Sequence, residues 1–154
     1  MDKGAGKTIE KFEFALNEVH GLHSDWISIL FLDSRGVVWL GDFEDNSFGL
    51  FKYLKEEKRF KHYGYDPQDS LSINSNEIRF ISEDDLGRMW VGTDGGLNRY
   101  DHHKNIFYRN TNLDMPSTIS YAKANNGKLW VSTYSGGGLA LVGPEVNDVE
   151  FYGE

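Results

Sequence analysis

Short apolar runs separated by polar turns make up most of this chain. The runs are rich in β-branched and aromatic residues, and the breaks contain Gly, Asn and Asp, which is typical of strands joined by tight turns. No longer segment repeats its apolar positions with a helical period, and the charged stretch 54–60 is interpreted as a loop extension between strands. Residues 37–40 and 89–91 are continuously apolar, which indicates strands covered on both faces.

Three segments of the chain repeat one another, at residues 27–41, 78–93 and 119–133. Each has a polar turn that ends in Gly, then two residues and a tryptophan, and these tryptophans are 51 and 40 residues apart. Each segment continues into a glycine-led stretch and closes with an aromatic pair. A period in this range is typical of repeat architectures such as β-propellers.

Each repeat is predicted to form four short antiparallel strands, which in the second repeat are expected at about 78–83, 89–93, 96–100 and 106–109. Such units packed face to face are the blades of a β-propeller, whereas a β-sandwich would alternate more cleanly, with one wet face. The predicted fold class is therefore all-β, a partial β-propeller of about three four-stranded blades plus one spare strand. The expected division is a tail with the orphan strand at 1–14, then blades at 15–64, 65–110 and 111–154.

Composition excludes several classes of function. The chain has 154 residues, enough for one domain with its own core. Its net charge of -8 repels phosphate backbones, so no nucleic-acid partner is expected. The absence of cysteine excludes disulfide scaffolds, thiolate zinc sites and cysteine nucleophiles. No run approaches the roughly 18 apolar residues of a transmembrane helix, so this segment is not expected to insert into a membrane.

Residues 78–101, which read IRFISEDDLGRMWVGTDGGLNRYD, resemble the two-component regulator propeller repeat. The lead-in at 65–67 with 70–72 and Asn76 resembles the linker between blades in that family, and residues 21–25 resemble its shorter form. The first repeat departs by an acidic insertion at 42–47, and the third by Ser132 and the loop at 134–137. The resemblance covers roughly residues 20–152.

The resemblance implies a context for the chain. Such repeats usually form the periplasmic or extracellular sensor region of a membrane-anchored bacterial regulator, often a histidine kinase or hybrid two-component protein, and sometimes one with a diguanylate-cyclase output. Many of these sensors respond to oligosaccharides. The sequence contains no kinase helix pair and no ATP-binding motif. The expected ligand is therefore a small molecule or oligosaccharide, with no catalysis in this chain and no cofactor.

Three blades cannot close a ring of ordinary geometry, because propellers have about four to eight. The chain is expected to be a fragment of a larger propeller, with a self-assembling short protein or an open arc as alternatives. Its partners would then be the remaining blades of the parent protein or further copies of itself. Both end blades are expected to leave apolar faces open, on the sheets of Trp39 and Trp130.

The repeat separates core residues from candidate ligand residues. A residue that recurs at one place in each repeat is set by packing, so Trp39, Trp90 and Trp130 are predicted to form the structural core between blades. Binding on propellers falls to loops at one rim, and here those loops combine carboxylates with aromatics, which suits hydroxyl-rich ligands. The predicted ligand-binding residues are Trp26, Asp42, Glu44, Asp45, Tyr65, Asp94 and Tyr134.

The sequence gives weaker signals for metal binding and for catalysis. Asp33, Asp84 and Asn125 resemble pieces of a calcium loop, but only a hairpin-sized turn is present, so no metal site is predicted. His20 and His23 have no third ligand in view and are interpreted as surface residues. Two rival functions remain open: a propeller-fold lyase or glycan-active enzyme, which needs a histidine or paired carboxylates near the central channel, and a non-catalytic assembly scaffold.

Overall fold

The computed structural model describes residues 26–43, 47–112, 115, 117–134 and 137–153. The predicted tail and orphan strand at 1–14, and the candidates Glu44 and Asp45, lie outside the described residues. The described chain forms twelve strands and one turn of 3-10 helix at Asn125–Gly127. The strands are β1 (Ile29–Leu32), β2 (Val38–Gly41), β3 (Leu50–Leu54), β4 (Arg59–Tyr63), β5 (Ile78–Glu83), β6 (Met89–Thr93), β7 (Gly96–Asp101), β8 (Ile106–Arg109), β9 (Thr118–Lys123), β10 (Leu129–Thr133), β11 (Leu139–Val142) and β12 (Val149–Tyr152).

The strands form three antiparallel sheets, each a simple meander of four consecutive strands. The prediction of four-stranded antiparallel blades is confirmed, and in the second repeat each strand begins at its predicted residue. The charged stretch at 54–60 is the turn between β3 and β4 together with the start of β4. No helix among the described residues is long and apolar enough to span a membrane.

The first strands of the three sheets lie side by side, because β1 contacts β5 and β5 contacts β9. The sheets therefore pack face to face with β1, β5 and β9 at the inner edge, which is the arrangement of consecutive propeller blades. We call the face that carries the tryptophan of the second strand the Trp face, and the other face the receiving face. Each boundary between consecutive sheets, here called a seam, buries the Trp face of one sheet against the receiving face of the next.

The two seams have separate hydrophobic cores. At the first seam, Trp39 and Leu50 pack with Met89, Val91 and Tyr100 of the second sheet. At the second seam, the Trp face of the second sheet packs on the third in the same way; its buried residues include Trp90, Leu97, Leu129, Val131, Ala140 and Val142. The continuous apolar run of β6 is explained by this arrangement, since all five of its residues are buried.

A buried aspartate holds each of the first two tryptophans to its own turn. Asp33 Oδ2 accepts a hydrogen bond of 3.0 Å from the Trp39 indole, and Asp84 Oδ2 accepts one of 2.8 Å from the Trp90 indole. The other carboxylate oxygen accepts two backbone N–H groups of the turn in both cases. The carboxylates therefore satisfy turn donors and an indole donor that would otherwise be buried unpaired. Asp33 and Asp84 thus act as turn residues, as interpreted from the sequence.

The structure changes the alignment of the third repeat. Counted back from the tryptophan, the position of Asp33 and Asp84 is occupied by Ala124, and not by Asn125 as the sequence alignment placed it. Ala124 N still donates to Lys128 O at 3.0 Å, as Asp84 N does to Arg88 O. The turn nevertheless differs, because it forms a 3-10 turn with Asn126 in the left-handed region at φ 64°. The third sheet therefore keeps the hairpin but lacks the carboxylate that holds its tryptophan.

Candidate functional site

The meander brings the predicted binding loops to one end of the sheets. In each sheet the first strand starts, the second ends, the third starts and the fourth ends at this end, which we call the rim. The predicted residues that the structure describes all lie on rim connections: Trp26, Asp42, Tyr65, Asp94 and Tyr134. The remaining connections, which include the aspartate turns, lie at the opposite end.

A pocket of about 490 Å³ opens at the rim on the second seam. It is lined by Asp94 and Tyr134, which the sequence predicted, and by Arg79, Ser117 and Ile119, which it did not. We call these five residues the rim groove. Its volume lies within the range of small-molecule sites, and it draws residues from both the second and the third sheet.

Polar contacts in the rim groove converge on one oxygen. Asp94 Oδ1 accepts a hydrogen bond of 3.0 Å from Arg79 Nη2 and another of 3.0 Å from Ser117 Oγ. Glu77 Oε2 lies 3.6 Å from the same Arg79 nitrogen. The Asp94 side chain is 46% exposed, so its carboxylate is open to a ligand from the rim. The guanidinium is oriented by an ion pair and can present its remaining donors beside that acceptor.

Aromatic side chains flank this polar centre. The Phe43 ring lies 5.7 Å from Arg79 Cζ, within the range of a cation–π contact. Tyr134 is 69% exposed, while its backbone N–H donates to Ser117 O at 3.0 Å. The backbone therefore fixes the position of Tyr134 and leaves its ring free to meet a ligand. A fixed carboxylate and guanidinium beside an exposed ring can hydrogen-bond the hydroxyls of a ligand and stack on its apolar face.

Two β-bulges place two of the three unpredicted residues, Arg79 and Ile119, in the groove. The pairing of β5 with β6 slips between Ile78 and Phe80, so Arg79 is an extra residue with no partner across the ladder. The pairing of β9 with β10 slips in the same way, and Ile119 is the extra residue there. A bulge re-aims a side chain, and such features are common beside functional sites. Arg79 and Ile119 thus occupy one structural position in successive sheets.

Sequence reasoning missed these two residues because it treated the inner strands as regular. It aligned Ile119 with Ile78, whereas the ladder shows that Thr118, which is fully buried, is the equivalent of Ile78. The available signal was the spacing to the tryptophan, because Ile119 stands one residue nearer to Trp130 than Ile78 stands to Trp90. Asp94 and Tyr134 share a position four residues after their tryptophans, and Phe43 shares it in the first sheet.

The other predicted ligand residues lie elsewhere on the rim. Asp42 is 3% exposed; its carbonyl accepts a hydrogen bond of 2.7 Å from Ile78 N, and its Oδ1 has no hydrogen-bond partner within the described part of the chain. Tyr65 lies at the outer edge, with its ring 5.4 Å from Arg109 Cζ of β8. Trp26 is 67% exposed just before β1. The structure therefore brings together Asp94 and Tyr134, and places the other three outside the groove.

The predicted core tryptophans divide by position. Trp39 and Trp90 are fully buried. Trp130 is half-buried and meets Tyr152 edge to face, with ring centroids 5.1 Å apart. Its face of the third sheet is not covered by another described sheet, which explains the difference.

The described histidines do not enter the groove. His102 and His103 lie in the turn between β7 and β8 at the opposite end, and His62 lies on β4 at the outer edge of its sheet. Burial lowers the pKa of His102, and the nearby Arg35 guanidinium lowers it further. His20 and His23 fall outside the described residues. Over the described ranges, no group of three or more His, Asp or Glu side chains is arranged to hold a metal ion.

Comparison with known sequences gives two matches. The family described as two component regulator propeller matches residues 72–95, which include the end of the linker, β5 and β6. A histidine kinase from Formosa agariphila is 35% identical over 71 residues, which is 46% of this chain and 5% of the kinase.

Comparison with solved structures supports the same fold. The extracellular domain assigned to a hybrid two component system of B. thetaiotaomicron superposes with a TM-score of 0.72 at 24% identity, over 91% of this chain and 20% of that chain. A second such domain from the same organism has a TM-score of 0.64 at 27% identity, over 81% of this chain and 17% of that one. Virginiamycin B lyase from Staphylococcus aureus, at 14% identity and a TM-score of 0.61, shares the fold alone. The chain thus spans a fifth or less of these two extracellular domains.

Proposed function

The chain carries a two-component regulator propeller repeat, and from this we propose that it is a segment of the ligand-sensing propeller of a bacterial two-component protein. The similar domains from B. thetaiotaomicron are extracellular, and this supports a place for the segment outside the cytoplasm, as part of a membrane-anchored protein. The ligand is an oligosaccharide bound at the rim groove, and the kinase output lies in another part of the parent protein.

The observation that carries this proposal is the position of the rim groove across a seam. Arg79 and Asp94 belong to the second sheet, whereas Ser117, Ile119 and Tyr134 belong to the third. A ligand that contacts both sides favours the seam geometry that fits it. A sensor needs such a differential interaction, because a ligand shifts an equilibrium only by its difference in affinity for the two states.

The chemistry of the groove supports a carbohydrate. Asp94 supplies an acceptor, Arg79 and Ser117 supply donors, and Tyr134 presents an exposed ring. Sugars combine vicinal hydroxyls with apolar C–H faces, which matches this set. Neither Arg79 nor Asp94 is committed to a buried network, since their side chains are 33% and 46% exposed.

Isothermal titration calorimetry against a panel of oligosaccharides tests the proposal. Asp94→Asn and Tyr134→Ala should each weaken binding of the active glycan about tenfold or more, because each removes a direct contact. Asp85→Asn is the matched control, since it removes the same charge from an exposed turn at the opposite end. Equal affinities for Asp94→Asn and Asp85→Asn would place the ligand elsewhere.

Catalysis and scaffolding are the competing outcomes of the same experiment. Release of shortened or unsaturated products from a bound glycan would replace sensing by an enzymatic function. No heat with any glycan, together with a stable complex with other protein chains, would favour a scaffold.

A further inference from the structure

The rim groove contains two charged residues at positions where the other sheets have uncharged ones. Arg79 is eleven residues before its tryptophan, and Asp94 is four residues after it. The residues with the same spacings are Ser28 and Phe43 in the first sheet and Ile119 and Tyr134 in the third. All three sheets form, although only the second has charges at these positions. The repeat itself therefore does not require Arg79 or Asp94, and their charges are available to a ligand.

The turn that carries Asp94 is held by hydrogen bonds on both sides. Gly95 N donates to Thr93 Oγ1 at 3.1 Å, and Asn74 Nδ2 of the linker donates to Gly95 O at 2.7 Å. Asp94 N donates to Glu77 O at 3.1 Å, which fixes a second acidic residue beside Asp94. The Asp94 carboxylate is therefore preorganised at the rim, on a turn that a ligand does not have to order.

The polar atoms that the groove leaves open are mainly acceptors. Arg79 Nη2 and Ser117 Oγ both donate to Asp94 Oδ1, whereas none of the described residues donates to Asp94 Oδ2. The side chains of Asp94 and Glu77 are 46% and 38% exposed. A ligand therefore meets carboxylate oxygens that lack a protein donor, and it gains most by supplying N–H or O–H groups.

The charge of the groove favours a cation over an anion. Arg79 is the one cation among the five residues of the rim groove, and its Nη2 lies 3.0 Å from Asp94 Oδ1 and 3.6 Å from Glu77 Oε2. Two carboxylates thus exceed the charge of one guanidinium, in a chain of net charge -8. A ligand carboxylate or sulfate that approached Arg79 would lie beside both acids, whereas an ammonium group would be attracted by them.

An exposed aromatic ring lies in the same groove. Tyr134 is 69% exposed and lines the groove together with Asp94. The face of an aromatic ring attracts an ammonium group through its quadrupole, and it also stacks on the C–H face of a sugar. The combination of carboxylate and ring therefore suits a sugar that carries an ammonium group better than a sugar that carries hydroxyls alone.

We propose that the oligosaccharide bound at the rim groove contains an amino sugar, whose ammonium group contacts the Asp94 carboxylate beside the Tyr134 ring. This rests on the proposed function, and it sharpens the ligand from carbohydrates in general to one class. The ammonium group supplies three donors, of which Asp94 Oδ2 accepts one. The remaining donors of Arg79 bind hydroxyls of the glycan. Acetylation of the amine removes the positive charge and a uronic acid reverses it, so both kinds of glycan should bind more weakly.

Calorimetry with matched glycans tests the proposal. The probes are oligomers of glucosamine and of galactosamine, the same oligomers with acetylated amines, and oligogalacturonate, in about 0.15 M salt to screen non-specific attraction. We expect at least one amino oligomer to bind about tenfold more tightly than its acetylated form, and oligogalacturonate to bind most weakly of all. Asp94→Asn should bring that ratio close to one, whereas Asp85→Asn, which removes an equal charge at the opposite end, should preserve it.

Spermine separates the effect of the ammonium group from that of the sugar. Spermine binding as tight as that of the amino oligomer, and equally weakened by Asp94→Asn, would assign the groove to a polyamine and overturn the proposal. Equal affinity for the free and acetylated oligomers, a preference for oligogalacturonate, or a tenfold ratio that survives in Asp94→Asn would also overturn it, and each of these results leaves carbohydrate sensing intact. No heat from these or any other glycans would instead contradict the proposed function itself.

Discussion

The second and third sheets share a strand order and a tryptophan position, yet they bury the tryptophan to different extents. Trp90 is fully buried and Trp130 is half-buried. The Trp90 ring lies under the receiving face of the third sheet, whereas no described sheet covers Trp130. The contrast shows that the repeat motif determines which face of the sheet carries the ring, and that the neighbouring sheet determines how far the ring is buried.

The same two sheets differ in the turn before the tryptophan. In the second sheet, Asp84 Oδ2 accepts hydrogen bonds from the Trp90 indole and from Arg88 Nε, at 2.8 and 2.7 Å. Arg88 in turn donates to the carbonyls of Gly127 and Pro144 in the third sheet. We call Asp84 and Arg88 the clamp. It connects the turn before β6 to the Trp90 ring and, across the second seam, to the third sheet. The equivalent residue of the third sheet, Ala124, has no carboxylate and cannot form this network.

The largest expected effect is the difference in stability lost when Trp90 or Trp130 is replaced by alanine. Trp90→Ala should reduce the free energy of unfolding by about 4 kcal/mol, because it leaves a large cavity in a packed seam. Trp130→Ala, the matched change, should cost only about 1 kcal/mol, because its ring is only partly buried and its removal leaves no closed cavity. Urea unfolding followed by circular dichroism measures both. Equal losses would mean that the Trp face of the third sheet is covered in solution.

The clamp should rank next. Asp84→Ala leaves the Trp90 indole and Arg88 Nε without their carboxylate acceptor, and should cost about 3 kcal/mol. Asp84→Asn is the control, since its single amide oxygen can keep one of the two pairs of hydrogen bonds, to the two backbone N–H groups or to the indole and Arg88 Nε, while the charge is lost. We expect Asp84→Asn to fall between the wild type and Asp84→Ala in a urea titration. A loss for Asp84→Ala no greater than that for the exposed Asp85→Ala would contradict the clamp.

The sequence predicted the blades well and the groove only in part. In the second repeat, strand starts followed from turn glycines and β-branched runs, because those signals are local. Arg79 and Ile119 could not be found in that way, since a bulge is a property of the pairing of two strands and not of either alone. The burial of Asp42 and the partial exposure of Trp130 depend on neighbouring sheets, which no single repeat encodes.

The first seam has a latch of its own, at the same end as the clamp. Glu83, at the end of β5, accepts hydrogen bonds from Ser34 N and Ser34 Oγ at 2.7 and 2.8 Å, and its carboxylate pairs with Arg35 at 3.2 Å. The Glu83 side chain is only 8% exposed. Glu83→Gln should therefore cost about 2 kcal/mol, as expected for hydrogen bonds to a largely buried charge.

Native-state hydrogen exchange checks where that loss falls. Protection should drop in the turn at 33–37 and leave β9–β12 unchanged, because the latch joins only the first two sheets. A uniform loss across all three sheets would show that the latch supports the whole molecule.

The smallest expected effect is a gain in stability, obtained by adding to the third sheet the carboxylate that it lacks. Ala124 has extended backbone angles, φ -108° and ψ 167°, and makes no side-chain hydrogen bond. The backbone bond from Ala124 N to Lys128 O already matches that of the clamped turns. A carboxylate at this position can accept from the Trp130 indole and from Lys128 N, whose present bond to Asn125 O is long at 3.4 Å. Ala124→Asp should therefore raise the free energy of unfolding by about 1 kcal/mol.

A Trp130→Phe background supplies the control, because phenylalanine has no indole N–H and most of the gain should disappear there. The indole proton of Trp130 should also move downfield in the NMR spectrum of Ala124→Asp, since it becomes hydrogen-bonded to a charged acceptor. The gain should stay below the loss in Asp84→Ala, because Trp130 is only partly buried and its indole therefore gains less from a protein acceptor than the fully buried Trp90 indole loses. An equal gain in the Trp130→Phe background would show that the new carboxylate stabilises the turn alone. The hydrogen bond from the carboxylate to the indole would then not explain the difference in stability between the second and third sheets.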